Sequence, residues 1–360
     1  SGDYGSGTEL KYQQMTAGEK GVWSTTISGN WDGKYYNYIV DHGSYTVEAV
    51  DPYARSTGAN GDRGMILNLD ATDPEGWDND ISPNAGMNYT DAIIYEMHVR
   101  EMTLDSTSGV SSAYRGKFLG MTQDGTSYQG RSTGLAHLKE LGVTHVQLMP
   151  SFDYKSVDEY YSNSYAWGYD PQNYNTPEGS YSTNPHDGAV RVNEYKQMVQ
   201  AFHSNGINVV MDVVFNHAFD GGNFCYNQIV PNYFSRFYGE GNWSNGSGCG
   251  DDLATERSMC ARYILESGFS SMGKLVQNFF QLSTATDPLR TEASFPQNWT
   301  IFYWAYWMVW CVASPFFIGS ISQGRTIRQT ILGGYGFGVG STIASFVVLG
   351  NYSMGKQVSG

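Results

Sequence analysis

Cysteine is scarce in this chain of 360 residues, and the four present (Cys225, Cys249, Cys260 and Cys311) form no CxxC and no Cys/His ligand spacing. A zinc site is therefore not expected. Positive charge is also short: 21 Lys and Arg stand against 35 Asp and Glu, a net charge of −14. The deficit is uneven. From Phe269 onward five bases (Lys274, Arg290, Arg325, Arg328 and Lys356) outnumber Asp287 and Glu292, so that tail is +3 and the part before it −17. Acidity of that order excludes nucleic acid as the expected partner. An initiator Met and a signal-peptide pattern are both missing from the opening SGDYGSG, which reads as a processed or truncated start.

Charge of either sign is absent from Thr300 to Gly319 and from Thr330 to Gly350, runs of 20 and 21 residues. Each is long enough to cross a hydrocarbon core of ~30 Å as a helix. The only charges between them are Arg325 and Arg328, so the link is expected to face the cytoplasm. The competing reading is a buried helix or strand pair in a soluble protein.

What the chain does have is aromatic side chains, 15% of all residues. Flat aromatic faces are where sugar rings or cationic head groups rest. Residues 1–86 alternate short β-rich runs (GVWSTTI, KYYNYIV, YTVEAV, GMILNL) with Gly/Asn/Asp turns, which predicts a small β-sandwich. From about residue 87 to 267 the pattern becomes short buried strands between amphipathic helices, the signature of repeated β-α units. Candidate strands are Ile93 to Val99, Val143 to Pro150 and Ile207 to Phe215. Ser132 or Thr133 is expected to cap a helix that buries Leu135, Leu138 and Leu141 and ends at Gly142. Tyr195, Met198, Val199 and Phe202 share a second helix face before Gly206, and a third helix is expected near Thr255.

Two stretches carry chemistry. MDVVFNH (211–217) places Asp212, Asn216 and His217 at the end of the third strand, where a β/α barrel opens its active-site mouth. Asp212 in an apolar run requires a cation or a donor, and His217 or nearby backbone could supply it. The long loop YAWGYDPQNYNTPEGSYSTNP (165–185) offers Tyr165, Trp167, Tyr169, Tyr174 and Tyr181, either as sugar platforms or as a loop packing on itself.

DAIIYEMHVR, RGKFLGMT, GLAHLKELGVTHVQLMPSFDY, the 165–217 stretch and GSGCGDDLATERSMCARYI together resemble type I pullulanases of the α-amylase superfamily, over residues 1 to about 267. The resemblance implies a β-sandwich followed by the first three or so strands of a (β/α)8 barrel, acting on α-1,6 bonds of α-glucans. It implies that Asp212 and His217 contact the sugar at the cleavage point, that Asn216 is mainly structural, and that Tyr169 stacks under the ring beside Trp167 and Asp170. Ala166 stands where the family commonly has Asn. The family's catalytic pair, an Asp after the fourth strand and a Glu after the fifth, has no match here. Retaining hydrolysis requires two such carboxyls ~5–5.5 Å apart, and after Ser267 only Asp287 and Glu292 remain.

From 269 to 360, FPQNWTIFYWAYWMVW followed by ISQGRTIRQTI resembles the betaine/choline/carnitine transporters. That implies an α-helical membrane segment with two candidate spans, and Trp307 and Trp310 as contacts for a quaternary amine. For Trp299 and Tyr303 an interfacial belt is the better reading. No cofactor is read from the residues; the resemblances leave calcium open for the first part and sodium for the second, with no ligands named. The expected partners are an α-glucan and, through the last part, a lipid bilayer. Membrane location follows from that part alone, and the compartment of the enzyme-like part stays open. Rival readings are a transporter fragment and a membrane-anchored glucan binder without catalysis. Both resemblances break near Glu266 to Ser271, the mark of a join between unrelated coding sequences.

Overall fold

The computed structural model describes residues 11–260 apart from 85, 89, 90, 162, 163, 240, 258 and 259. The two apolar runs, with Trp307 and Trp310, lie outside the described residues. Within those residues no helix is long and apolar enough to cross a membrane.

The early β-rich runs pair only locally. Thr16–Ala17 lies against Trp23–Ser24, Tyr35–Tyr36 against Gly64–Met65, and β1 (Tyr38–Asp41) against β2 (Thr46–Ala49), all antiparallel. In the segment expected to be a sandwich, the described residues form three separate two-stranded ladders. Strands of two to four residues offer too few inward side chains for two sheets to bury against each other, and Val22, Trp23, Ile27, Ile39 and Ile66 are exposed. The segment is instead tied to the following part by hydrogen bonds. Tyr35 donates to His186 O (2.8 Å), Ser56 to Gly188 O (2.7 Å), and Asn175 Nδ2 to Pro52 O (2.7 Å).

Beyond residue 91 the chain builds one parallel sheet. β3 (Ile94–Met97) is followed by the short helix α1 (Val99–Thr103) and by α2 (Gly134–Glu140), which leads into β4 (His145–Leu148). An antiparallel pair, β5 (Phe152–Tyr154) and β6 (Pro171–Pro177), then leads to the long helix α3 (Gly188–Ser204) and to β7 (Asn208–Met211). β4 is central, with Ile94 and Asn208 both opposite His145, and Met97 and Met211 both opposite Leu148. Each strand is shorter than its apolar run, because the following residues turn into loops at the strand ends.

Side chains alternate across the sheet. Met97, Val146, Leu148 and Val209 face a cluster with Leu135 and Leu138 of α2 and Tyr195, Met198, Val199 and Phe202 of α3. Ile94, on the other face, is 59% exposed. A closed barrel would cover that face with eight strands; the described sheet has three. Leu141, expected beside Leu135 and Leu138, is 49% exposed because the helix has already ended there. The Thr133 hydroxyl does not cap α2 but donates to Ser108 O. Gly142 and Gly206 stop their helices with φ of +71° and +77°. Near Thr255 the described residues show a turn, and the rest of the expected helix falls outside them. A helix absent from the sequence reading, α4 (Cys225–Ile229), joins Tyr174, Phe224, Phe234 and Leu253 in a second apolar cluster.

The parts are pinned by one fully buried arginine on α3. Arg191 donates to both oxygens of Glu159 (2.7 and 3.2 Å) and to the carbonyls of Gly58, Pro177 and Pro185 (3.0–3.2 Å). Asp153 and Glu178 lie beside it, and Glu178 accepts from Tyr154 N (3.2 Å) and Ser180 N (2.9 Å). Burial, with Glu159 nearby, pushes the Glu178 carboxyl up to about 8. Arg191→Met should therefore cost about 3–5 kcal/mol in urea unfolding, since it leaves buried acid unpaired. The fold keeps a proton on Glu178 that the unfolded chain releases near 4.5. Stability should thus fall as pH rises from the ordinary carboxylate range through about 8. Urea midpoints measured between those limits should flatten in Glu178→Gln, and an unchanged slope would contradict the assignment.

Candidate functional site

The site grows from the end of β7. Asp212 follows the last strand residue, and its N–H extends the ladder by donating to Leu148 O (3.0 Å). Its carboxylate accepts from Tyr169 Oη (3.0 Å). His217 donates from Nε2 to Tyr169 O (2.6 Å), and its Nδ1 lies 3.2 Å from Asn216 Oδ1. Asp212 and His217 therefore do not satisfy each other. Both are held through Tyr169, the first by its hydroxyl and the second by its backbone.

Electrostatics follow from this placement. Burial raises the Asp212 carboxyl, and hydrogen bonds from Tyr169 and Gln147 work against that rise. The Tyr169 phenol is pushed well above its ordinary value by burial and by Asp212, so it remains a donor. Trp167 is 59% exposed, with its ring edge-on to Tyr169 at 6.4 Å and 83°. Tyr165 is exposed as well, whereas Tyr174 and Tyr181 are buried. In the 165–185 loop the front rings Tyr165 and Trp167 thus face outward and the later ones pack inside.

Asp170, adjacent in sequence, is engaged elsewhere. Its carboxylate accepts from Ser156 Oγ and its carbonyl from Lys155 N (3.2 Å), so it fastens the turn after β5. Burial raises its carboxyl. Asn216 accepts at its carbonyl from Leu253 N (2.9 Å), which ties the loop after β7 to residues 251–253. Tyr174 Oη donates to His217 O (2.9 Å), and Asp251 accepts from Ala218 N (3.1 Å). Sequence reading missed Gln147, although a lone Gln in VTHVQLMP signals an inward polar position. It also missed Asp251, which lies too far along the chain for any local signal.

One trio among the described residues has carboxylates close enough to share a cation: Asp153, Glu159 and Glu178. It does not suit calcium. Arg191 and the N–H groups of Asn60 and Gly179 take the Glu159 oxygens (2.7–3.2 Å). A Cβ on Gly179 would meet Glu159 Oε2 at 2.2 Å, so the trio is closed around the guanidinium.

Comparisons with known proteins find two different families along the chain. The family model described as "Alpha amylase, catalytic domain" matches residues 113–230, and that of the "BCCT, betaine/carnitine/choline family transporter" matches 260–360. The chain is 40% identical over 255 residues to a pullulanase of Bacillus subtilis, covering 70% of this chain and 34% of that protein. It is 34% identical over 290 residues to the chloroplastic pullulanase 1 of Arabidopsis thaliana, covering 68% and 29%. Among solved structures, apo pullulanase from Paenibacillus barengoltzii superposes with a TM-score of 0.70 at 43% identity, over 76% of this chain and 42% of that one. Pullulanase from Bacillus acidopullulyticus gives 0.71 at 42% identity, over 76% and 33%. The chain spans about a third of the length of the curated relatives it matches. Pullulanase homologues cover its N-terminal part, which carries the partial barrel of the α-amylase fold.

Removing the Tyr169 hydroxyl tests the geometry directly. Tyr169→Phe should raise the Asp212 carboxyl further and cost about 0.5–1.5 kcal/mol of stability. A carbon-13 titration of Asp212 that does not move would separate the two residues.

Proposed function

We propose that residues 1 to about 267 are the α-glucan-binding front of a pullulanase-type debranching hydrolase, and that this chain binds glucan without cleaving it. The observation that carries the reading is the joint hold of Tyr169 on Asp212 and His217, beside an exposed Trp167 at the C-terminal ends of parallel strands. Tyr169 and Trp167 supply apolar faces for a sugar ring, Asp212 and His217 supply polar contacts to its hydroxyls, and Asn216 and Asp170 support the loops. Structures of the Paenibacillus barengoltzii pullulanase include complexes with maltotetraose, maltohexaose and α-cyclodextrin, which favours a maltooligosaccharide here. Between Ser267 and Gly360 the carboxylates are Asp287 and Glu292, and neither stands in a match to the family's catalytic pair.

The 260–360 match supports a second ancestry. That resemblance implies Trp307 and Trp310, which lie outside the described residues, as contacts for a quaternary amine, and a bilayer as the partner of that segment. The two ancestries meet without a linker, which we ascribe to a join between unrelated coding sequences.

Titration calorimetry of the purified chain with maltotetraose should show binding that weakens about tenfold, or ~1.4 kcal/mol, in Asp212→Ala and His217→Ala. No binding by the parent chain would end the glucan reading. Incubation with pullulan should release no reducing ends, and turnover with host enzymes excluded would overturn the loss of catalysis. Amplification across codons 260–275 from the source DNA should fail to give one continuous product; a continuous native transcript would sink the join.

A further inference from the structure

The Tyr165–Tyr169 loop has no secondary structure of its own, yet it carries the two rings assigned to sugar stacking. Position 166 holds Ala, so no polar side chain there can anchor it. The methyl packs on the central apolar cluster, and the backbone does the rest. The Ala166 carbonyl lies 3.0 Å from His98 Nε2. His98 directly follows β3, at the same end of the sheet where Asp212 follows β7.

The chemistry of His98 is fixed from its other side. Its Nδ1 accepts the Glu101 N–H (3.4 Å) as the N-cap of α1, so in the neutral ring the proton sits on Nε2 and points at Ala166 O. Tyr181 Oη lies 3.1 Å from the same Nε2 and takes a hydrogen bond from Tyr154 Oη (3.1 Å). The imidazole is buried and rests at 5.3 Å against the Tyr165 ring, over which the Arg100 guanidinium also sits at 5.9 Å. Burial lowers its basicity, which keeps the ring neutral. Two residues beyond Ala166 the loop is pressed inward again: at Gly168, φ +85°, a Cβ would meet Tyr154 Cδ1 at 2.8 Å and Pro150 Cβ at 2.9 Å. Trp167 and Tyr169 are thus suspended between a hold on β3 and a hold on β7.

We propose that His98 is a positioning residue, which sets the register of the 165–169 loop through the Ala166 carbonyl and thereby presents Trp167 and Tyr169 to an α-glucan. This rests on the glucan-binding reading above, but the loop hold has a readout of its own. The donor, and not the bulk of the ring, is what matters. His98→Phe fills the space without a donor, and His98→Gln restores an N–H within reach of the carbonyl.

The test uses the full chain in three forms: parent, His98→Phe and His98→Gln. Maltotetraose affinity by calorimetry should fall about three- to tenfold in His98→Phe and recover to within about twofold of the parent in His98→Gln, the range of one neutral hydrogen bond. Hydrogen exchange in the 164–171 peptide should quicken by a similar factor in His98→Phe only. Equal affinity and equal exchange in all three forms would overturn the proposal. So would equal losses in both variants accompanied by equal drops in thermal stability, which mark a merely structural residue. If the parent binds no maltotetraose, the glucan reading fails alone, and the exchange pattern still decides whether His98 holds the loop.

Discussion

Arg191 is the constraint on which the described architecture rests. A guanidinium taken wholly out of water loses its hydration and must regain it from protein oxygens. Here those oxygens come from residues 58, 159, 177 and 185, which are otherwise separate stretches: the end of β6 and three irregular segments. The early ladders have no apolar cluster of their own, so hydrogen bonding to this charge and to neighbouring backbone sets where they lie. The same charge tempers three buried acids whose mutual repulsion would otherwise loosen the base of the 165–185 loop.

From that base the loop rises to the sheet end, and there the arrangement has a clear division of labour. Strands β3 and β7 flank β4, and each delivers one polar residue just past its last ladder position. His98 and Asp212 grip the loop at Ala166 and Tyr169, and His217 adds a second grip on Tyr169 through its carbonyl. The polar groups near Trp167 and Tyr169 are therefore pre-paired within the protein. A ligand hydroxyl that reaches Asp212 must share it with the Tyr169 phenol, which favours ligands able to bring both a flat apolar face and a donor.

Much of this was legible in the sequence, for physical reasons that vary by element. The three parallel strands and α3 announce themselves because burial on one side imposes a period, as in Tyr195, Met198, Val199 and Phe202. Asp212 and His217 stood out because an acid inside MDVVF is costly unless it serves something. Alternation in KYYNYIV and YTVEAV specifies extended chain, which the described residues show as two-stranded ladders, but it does not specify what those ladders stack on. Leu141 fitted a helical spacing and still faces water, since the helix stops before it. Arg191, Glu159 and Asp153 gave no sign, because nothing local distinguishes a charge that will meet others from 32 or more residues away from a solvated one. His98 was hidden for a related reason, as its partner is a carbonyl, which every residue possesses.

The parallel sheet also has a history in time. Ile94 finds its ladder partner only at His145, and His145 finds its second only at Asn208. At ~5–20 residues per second of synthesis, β3 waits roughly 3–10 s for β4, and β4 waits about as long again for β7. During that interval the unpaired edge and Ile94 are open to any passing strand. The nascent chain is therefore most exposed to mispairing before β7 has been made.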